Sequence, residues 1–257
     1  MKSILAIVEK EIRGYFVSPI AYVVLTCFMC IMGFFFFNHL SMFNQLLAMY
    51  QAFRQPEVLQ QLNLNDQVMT PTLYNMTIVL IFMMPLLTMR LFSEEKKLRT
   101  DELLFTTPLT TFQIMMGKFL SSFIFFLFML LLTFIYPAIL FTFGNPEPGQ
   151  IIAGYLGIML LGTAFLAVGN FVSSLTENQI VSAVITLVTL LMLFIIGWTA
   201  QMTSPTLGAV LSYLSLVEHF TDFAKGLIEV KHVVYYLTFI LFGMFLTKRS
   251  LESQRWR

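Results

Sequence analysis

Six stretches of this chain contain no Asp, Glu, Lys or Arg: Gly14 to Phe53, Gln67 to Met89, Phe119 to Pro146, Pro148 to Thr176, Asn178 to Val217 and His232 to Thr247. Crossing about 30 Å of hydrocarbon takes roughly 20 helical residues, and a backbone in lipid must satisfy its own hydrogen bonds. Five of the runs reach that length unaided, and the sixth does so with its flanks. Charged residues make up 11% of the chain, where a soluble domain carries about a quarter. The runs are continuously apolar, which excludes the ten-residue alternation of a β-barrel. The first run is too long for a cleaved signal peptide and sits behind a charged leader. The reading is an all-α polytopic membrane protein. One transmembrane domain covers residues 1–257, with spans at about 20–37, 72–89, 118–143, 150–172, 180–198 and 233–247.

Residues 1–17 place Ile4, Ile7, Val8 and Ile12 on one helical face and Glu9, Lys10 and Arg13 on another, the pattern of a helix lying in the membrane interface until Pro19 ends it. After the first span, the Gln- and Asn-rich segment from about Asn38 to Thr70 is expected outside the membrane. The spacing of Leu46, Tyr50 and Phe53 suggests a second surface helix there. Pro85 is expected to kink the second span. Ala153, Gly157, Gly162, Ala167, Gly169 and Ser173 mark the fourth span for close packing, inside a bundle or at a subunit contact. The segment from Ser204 to Leu227 is too polar to span and reads as one or two amphipathic helices at the outer face before the last span.

With six spans the termini share a side. That side holds Lys2, Lys10, Arg13, Arg90, Lys96, Lys97, Arg99, Lys118, Lys248, Arg249, Arg255 and Arg257, and the other holds only Arg54, Lys225 and Lys231. This bias puts both termini in the cytoplasm. Basic residues scattered over several segments and mixed with acids argue against nucleic acid as a partner.

Seven of the nine residues from Glu94 to Glu102 are charged, an island within apolar sequence. Thr100, Asp101 and Glu102 read as an N-cap with two acids in a first helical turn. Leu103, Leu104 and Phe105 complete a short helix that Thr107-Pro108 stops, and Thr110 to Gln113 fits a capping box that launches the third span. An ordinary basic loop accounts for the charges but not for the Leu-Leu-Phe between them. Gly117-Lys118 invites comparison with a phosphate-binding loop, but position 112 is Phe rather than Gly and 119 is Phe rather than Ser or Thr. No Walker motif is present, so ATP hydrolysis is not expected in this chain.

Cys27 and Cys30 lie inside the first span and read as small apolar thiols. His39, His219 and His232 are too dispersed in sequence to be read as a metal site, and no metal or cofactor is expected in the chain. No Asp, Glu, Lys or Arg lies deep in any span, against coupling to protons or sodium through such a residue. A membrane enzyme using Glu218, His219 and Asp222 is one alternative function.

The run EEKKLRTDELLFTTPLTTFQIMMGK resembles the cytoplasmic loop between the second and third spans of permease subunits in the ABC-2 class of ABC transporters. The matching positions are Glu94, Glu95 and Lys96, then Thr100, Glu102, Leu103 and Leu104, then Pro108, Leu109 and Thr110, then Gly117 and Lys118. Where that family usually has Gly before the Thr, this chain has Arg99. Lys10 to Val24 resembles the family's elbow helix and first span, and Ser173 to Val184 its fourth-to-fifth link. Ser212 to Leu237 resembles the outer segment, closest to gliding-motility-associated permeases and their non-gliding relatives.

The resemblance implies a permease subunit of a bacterial inner membrane, paired with an identical or related permease and two ATPase subunits that hold ATP and magnesium. In this view the loop at 94–117 contains the coupling helix. Leu103, Leu104 and Phe105 are its anchors, flanked by Glu94, Glu95, Lys96, Lys97, Arg99, Thr100, Asp101, Glu102 and Pro108. Ser173, Ser174, Thr176, Glu177 and Asn178 make a second contact. Substrate export is the expected function, with lipids around the spans and an extracytoplasmic partner protein also conceivable. The alternative is an ATP-driven mechanical or scaffold subunit that moves no solute.

Overall fold

The computed structural model describes residues 2–52, 63–100, 109–202 and 204–255, and among them there is no strand. The α-helices are α1 Lys2–Val17, α2 Pro19–Ala52, α3 Thr70–Thr88, α4 Ser93–Lys97, α5 Thr111–Leu132, α6 Ile135–Phe143, α7 Pro148–Leu175, α8 Gln179–Gln201, α9 Pro205–Leu214, α10 Leu216–Ala224 and α11 Val230–Arg255. A π-helical turn, Asn65–Met69, leads directly into α3. Among these residues, six helical stretches are long and apolar enough to cross a membrane: Pro19–Ala52, Asn65–Lys97, Thr111–Phe143, Pro148–Leu175, Gln179–Thr199 and Val230–Gln254.

The helix starts follow from local chemistry. Thr110 Oγ accepts from the Gln113 N–H at 3.2 Å while the Gln113 side chain accepts from the Thr110 N–H at 3.1 Å, which is the capping box read in the sequence. Asn178 caps α8 through the Ile180 N–H, and Ser215 caps α10 through the Glu218 N–H. Pro19, Pro148 and Pro205 open their helices, where a missing N–H costs nothing.

Two boundaries differ from the sequence reading. The helix of the first span does not stop near Phe37 but continues to Ala52, so Leu46 and Tyr50 belong to α2 and not to a separate surface helix; Phe53 lies outside the described residues. Polar residues mark where a helix leaves lipid, not where it ends. The third span is broken at Thr133 and Phe134. Pro137 has no N–H for the carbonyl of Thr133, four residues back. That carbonyl instead accepts from the Tyr136 N–H at 3.0 Å and from the Tyr155 hydroxyl of α7 at 3.0 Å.

Helix α7 is the centre of the bundle, and its small residues set the approach of its neighbours. A Cβ on Gly169 would stand 2.1 Å from Thr88 Oγ1 of α3, one on Gly162 2.2 Å from the Phe126 ring of α5, and one on Gly157 2.5 Å from Phe223 of α10. Burial grades outward from there. In the most apolar part of each span, 72% of the second and 67% of the fourth is buried, against 17% of the fifth. The fourth span is therefore interior to the bundle.

Candidate functional site

Both Thr88 of α3 and Thr111 of α5 stand at the bundle end where α1 packs, and the charged island begins there. Helix α4 closes with Arg99 at φ 54°. The Arg99 N–H donates to the Lys96 carbonyl at 3.0 Å and the Thr100 N–H to the Glu95 carbonyl at 2.9 Å. These are the paired bonds of a Schellman end, whose left-handed residue is usually Gly. Arg99 thus occupies the position at which the resembling family carries Gly, at a cost of about 1 kcal/mol for a side chain in that region.

Beneath this turn lies an ion cluster. Lys118, near the start of α5, is buried, with Nζ 3.0 Å from Glu11 Oε1 of α1 and 3.0 Å from Glu95 Oε1 of α4. It also donates to the Leu91 carbonyl and lies 5.3 Å from the centre of the Phe92 ring. Lys10 approaches Glu95 from the solvent side at 3.4 Å. The preceding Gly117 lets α1 approach, since a Cβ there would stand 2.6 Å from Ile7 Cγ2. Gly117 and Lys118 therefore act together. The glycine admits α1 against α5, and the lysine ties Glu11 and Glu95 across the seam.

A hydrogen-bonded knot fixes the other side of α4. Ser173 Oγ accepts from the Phe92 N–H at 3.1 Å and the Ser93 N–H at 3.3 Å, and Ser93 Oγ donates to the Ser173 carbonyl at 3.1 Å. The Ser174 carbonyl accepts from Lys96 Nζ, from Ser250 Oγ at 3.2 Å and from Gln254 Nε2 at 2.8 Å. Helix α4 is thereby joined directly to α1, α5 and α7, and α11 bonds the same Ser174 carbonyl that Lys96 reaches.

This geometry sorts the residues singled out in the sequence. Glu95 and Lys96 face inward to the partners just named, and Glu94 pairs with Arg90 at 3.4 Å. Lys97 and Arg99 are exposed, together with Leu98, which the sequence reading passed over. Ser173 and Ser174 are buried: the Ser173 side chain serves the knot, whereas Ser174 joins it through its carbonyl and donates its hydroxyl to the Phe171 carbonyl at 2.7 Å, while Glu177 and Asn178 lie at the surface with Thr176 partly covered. Asp101, Glu102, Leu103, Leu104, Phe105 and Pro108 lie outside the described residues. Glu11 and Lys118 were missed as a pair because 107 residues separate them. Only the family's Gly-Lys ending pointed there.

At the opposite end of the bundle, the histidines read as dispersed are partly brought together. His39 lies within α2, with Nε2 2.9 Å from Asn75 Nδ2. His219 and His232, however, approach to 2.6 Å between their Nδ1 atoms, and His232 Nε2 is 2.7 Å from Asp222 Oδ2. The dispersion argument fails for these two. Burial lowers the His219 imidazole below its usual pKa, against the opposing effect of its hydrogen bond to the Tyr213 carbonyl. Cys27 and Cys30 are free and exposed on α2.

The architecture defines a six-span helical membrane protein of multi-pass type. Residues 51–220, about two-thirds of the chain, match the model of a family described as ABC-2 family transporter protein. The chain belongs to that family. It is a membrane permease subunit of an ABC transporter, a non-catalytic component whose working partner is an ABC ATPase. No curated protein matches the chain.

Proposed function

We propose that this permease converts closure of two ABC ATPase subunits into rearrangement of its spans, and that it exports a substrate across the bacterial inner membrane together with a second permease copy or relative. The basic bias of one set of loops supports cytoplasmic termini. The coupling helix at Asp101–Phe105 is the input, with Leu103, Leu104 and Phe105 entering a groove on the ATPase. Exposed Lys97, Leu98 and Arg99 lie beside its start, and Glu177 and Asn178 contribute the second contact.

The observation that carries this reading is the attachment of α4. Through Glu95, Ser93 and Lys96, the segment leading into the coupling helix is bonded to α1, α5 and α7, and α11 is held on the same Ser174 carbonyl. Displacing it moves packed helices as units, which is how hinge and shear transitions are driven. Uniformly apolar spans, in a chain with 28 Phe and no charged pocket within the spans, favour a lipidic or amphipathic cargo. The resemblance over Ser212–Leu237 supports a place nearest the gliding-associated branch, from which no motility role follows.

The test is the double substitution Leu104→Asp with Phe105→Asp. It is expected to abolish co-purification of the ATPase, or to leave its hydrolysis unresponsive to substrate, with the permease still inserted. Normal, substrate-responsive ATPase activity in that variant would sink the assignment.

A further inference from the structure

Helix α10 ends at a second Schellman turn. Gly226 has φ +87°, the Leu227 N–H donates to the Asp222 carbonyl at 2.9 Å and the Gly226 N–H to the Phe223 carbonyl at 3.0 Å. The reversal returns the chain over α10, so that Glu229 and His232 meet Asp222. His232 Nε2 is 2.7 Å from Asp222 Oδ2 and 3.9 Å from Glu229 Oε2, and one ligand atom from each residue lies within 4.8 Å of the others.

The hydrogen bonds behind His232 determine what its outward nitrogen can be. His219 Nε2 is 2.9 Å from the Tyr213 carbonyl, which only accepts, so that nitrogen carries a proton. In a neutral ring His219 Nδ1 is then bare. The 2.6 Å contact between the two Nδ1 atoms makes His232 Nδ1 the donor. A neutral His232 is left with a bare Nε2 lone pair aimed at a carboxylate. Two acceptors at 2.7 Å repel, so the arrangement calls for positive charge between them. An additional proton on His232 Nε2 would bond Asp222 at 2.7 Å and leave Glu229 at 3.9 Å, whereas a metal ion would draw all three residues onto itself.

We propose that Asp222, Glu229 and His232 bind a divalent metal ion of the zinc class, with His219 as a positioning residue that transmits the hold of the Tyr213 carbonyl to the His232 ring. One imidazole with two carboxylates is a donor set that zinc accepts, with water completing the shell. Ligand atoms about 2.0–2.2 Å from zinc in tetrahedral array stand about 3.3–3.6 Å apart. Asp222 therefore draws back from 2.7 Å, and Glu229 closes in from 3.9 Å. Both acids are partly exposed and can make these shifts, while His232 is buried at 5%. Tyr235 stacks on His219 with ring centres 3.8 Å apart and holds that ring in place. A competitor is present: Lys231 Nζ lies 2.5 Å from Glu229 Oε2, and its side chain is 65% exposed and free to swing away. An acceptor behind the liganding histidine, taking the N–H of its other ring nitrogen, is the arrangement that orients metal-bound imidazoles generally.

The experiment uses the full-length chain, freed of any affinity tag and stripped with a chelator. Zinc chloride is titrated calorimetrically, and cobalt(II) by visible absorption. The wild type is expected to bind one zinc per chain and to give a tetrahedral cobalt spectrum. His232→Ala should lose both, and Glu229→Gln should weaken zinc by tenfold or more. His219→Ala should weaken zinc by about 10–100-fold and shift the cobalt bands, whereas Lys231→Ala should tighten binding. A wild-type protein that binds no stoichiometric zinc overturns the proposal and leaves a shared proton as the bridging charge. Unchanged zinc affinity in Glu229→Gln also overturns it, and that exposed substitution remains informative if His232→Ala fails to fold.

Discussion

Lys118 is the residue on which the cytoplasmic frame turns. Its ammonium is the shared cation for Glu11 and Glu95, both of which keep some access to water. Removing one member of a buried pair costs about 3–5 kcal/mol when the remaining charge is sealed. Here the carboxylates can rehydrate, so Lys118→Met is expected to destabilise the folded chain by about 2–3 kcal/mol. The measurable signs are a lower thermal unfolding midpoint in detergent and release of α1, seen as protease sensitivity near Gly14. Unchanged stability and protection would show that the cluster is not what holds α1. In sequence, this lysine is one basic residue among twelve on its side. Its burial depends on Gly117 admitting α1, a contact between residues more than a hundred positions apart that no local pattern reveals.

Among the elements, α7 determines how closely the others approach. Replacing Gly with Ala in a helix normally gains about 1 kcal/mol through propensity. At Gly169 the added methyl would stand 2.1 Å from Thr88 Oγ1 and 2.7 Å from Thr88 Cβ, an atom fixed to the α3 backbone. Overpacking of this kind costs about 1–3 kcal/mol and outweighs the propensity gain. Gly169→Ala is therefore expected to lower stability in a detergent melt, whereas Gly14→Ala, which meets nothing, is expected to raise or leave it. Equal effects at the two sites would refute the packing argument. The small-residue pattern of α7 and the cap of α5 were legible because each resides in a few neighbouring residues. The continuation of α2 through Asn38 was not, because lipid exit and helix termination have different causes. The meeting of His219 with His232 was also hidden, since it depends on the reversal at Gly226.

For the whole molecule, the proposed orientation makes a direct prediction. With Cys27 and Cys30 replaced by Ala, a cysteine at the exposed Ser204 should react with a membrane-impermeant maleimide on intact cells. One at the exposed Lys97 should react only after permeabilisation. The reverse pattern would invert the molecule and remove the ATPase from the proposed coupling face. The tie between Glu11 and Lys118 also bears on how the chain is made. Its two ends are 107 residues apart, and synthesis at about 5–20 residues per second leaves an interval of several seconds between them. Helix α1 thus waits unlatched until the third span arrives, and a chain truncated before that span presents an amphipathic segment with no seat, a ready mark for quality-control proteolysis.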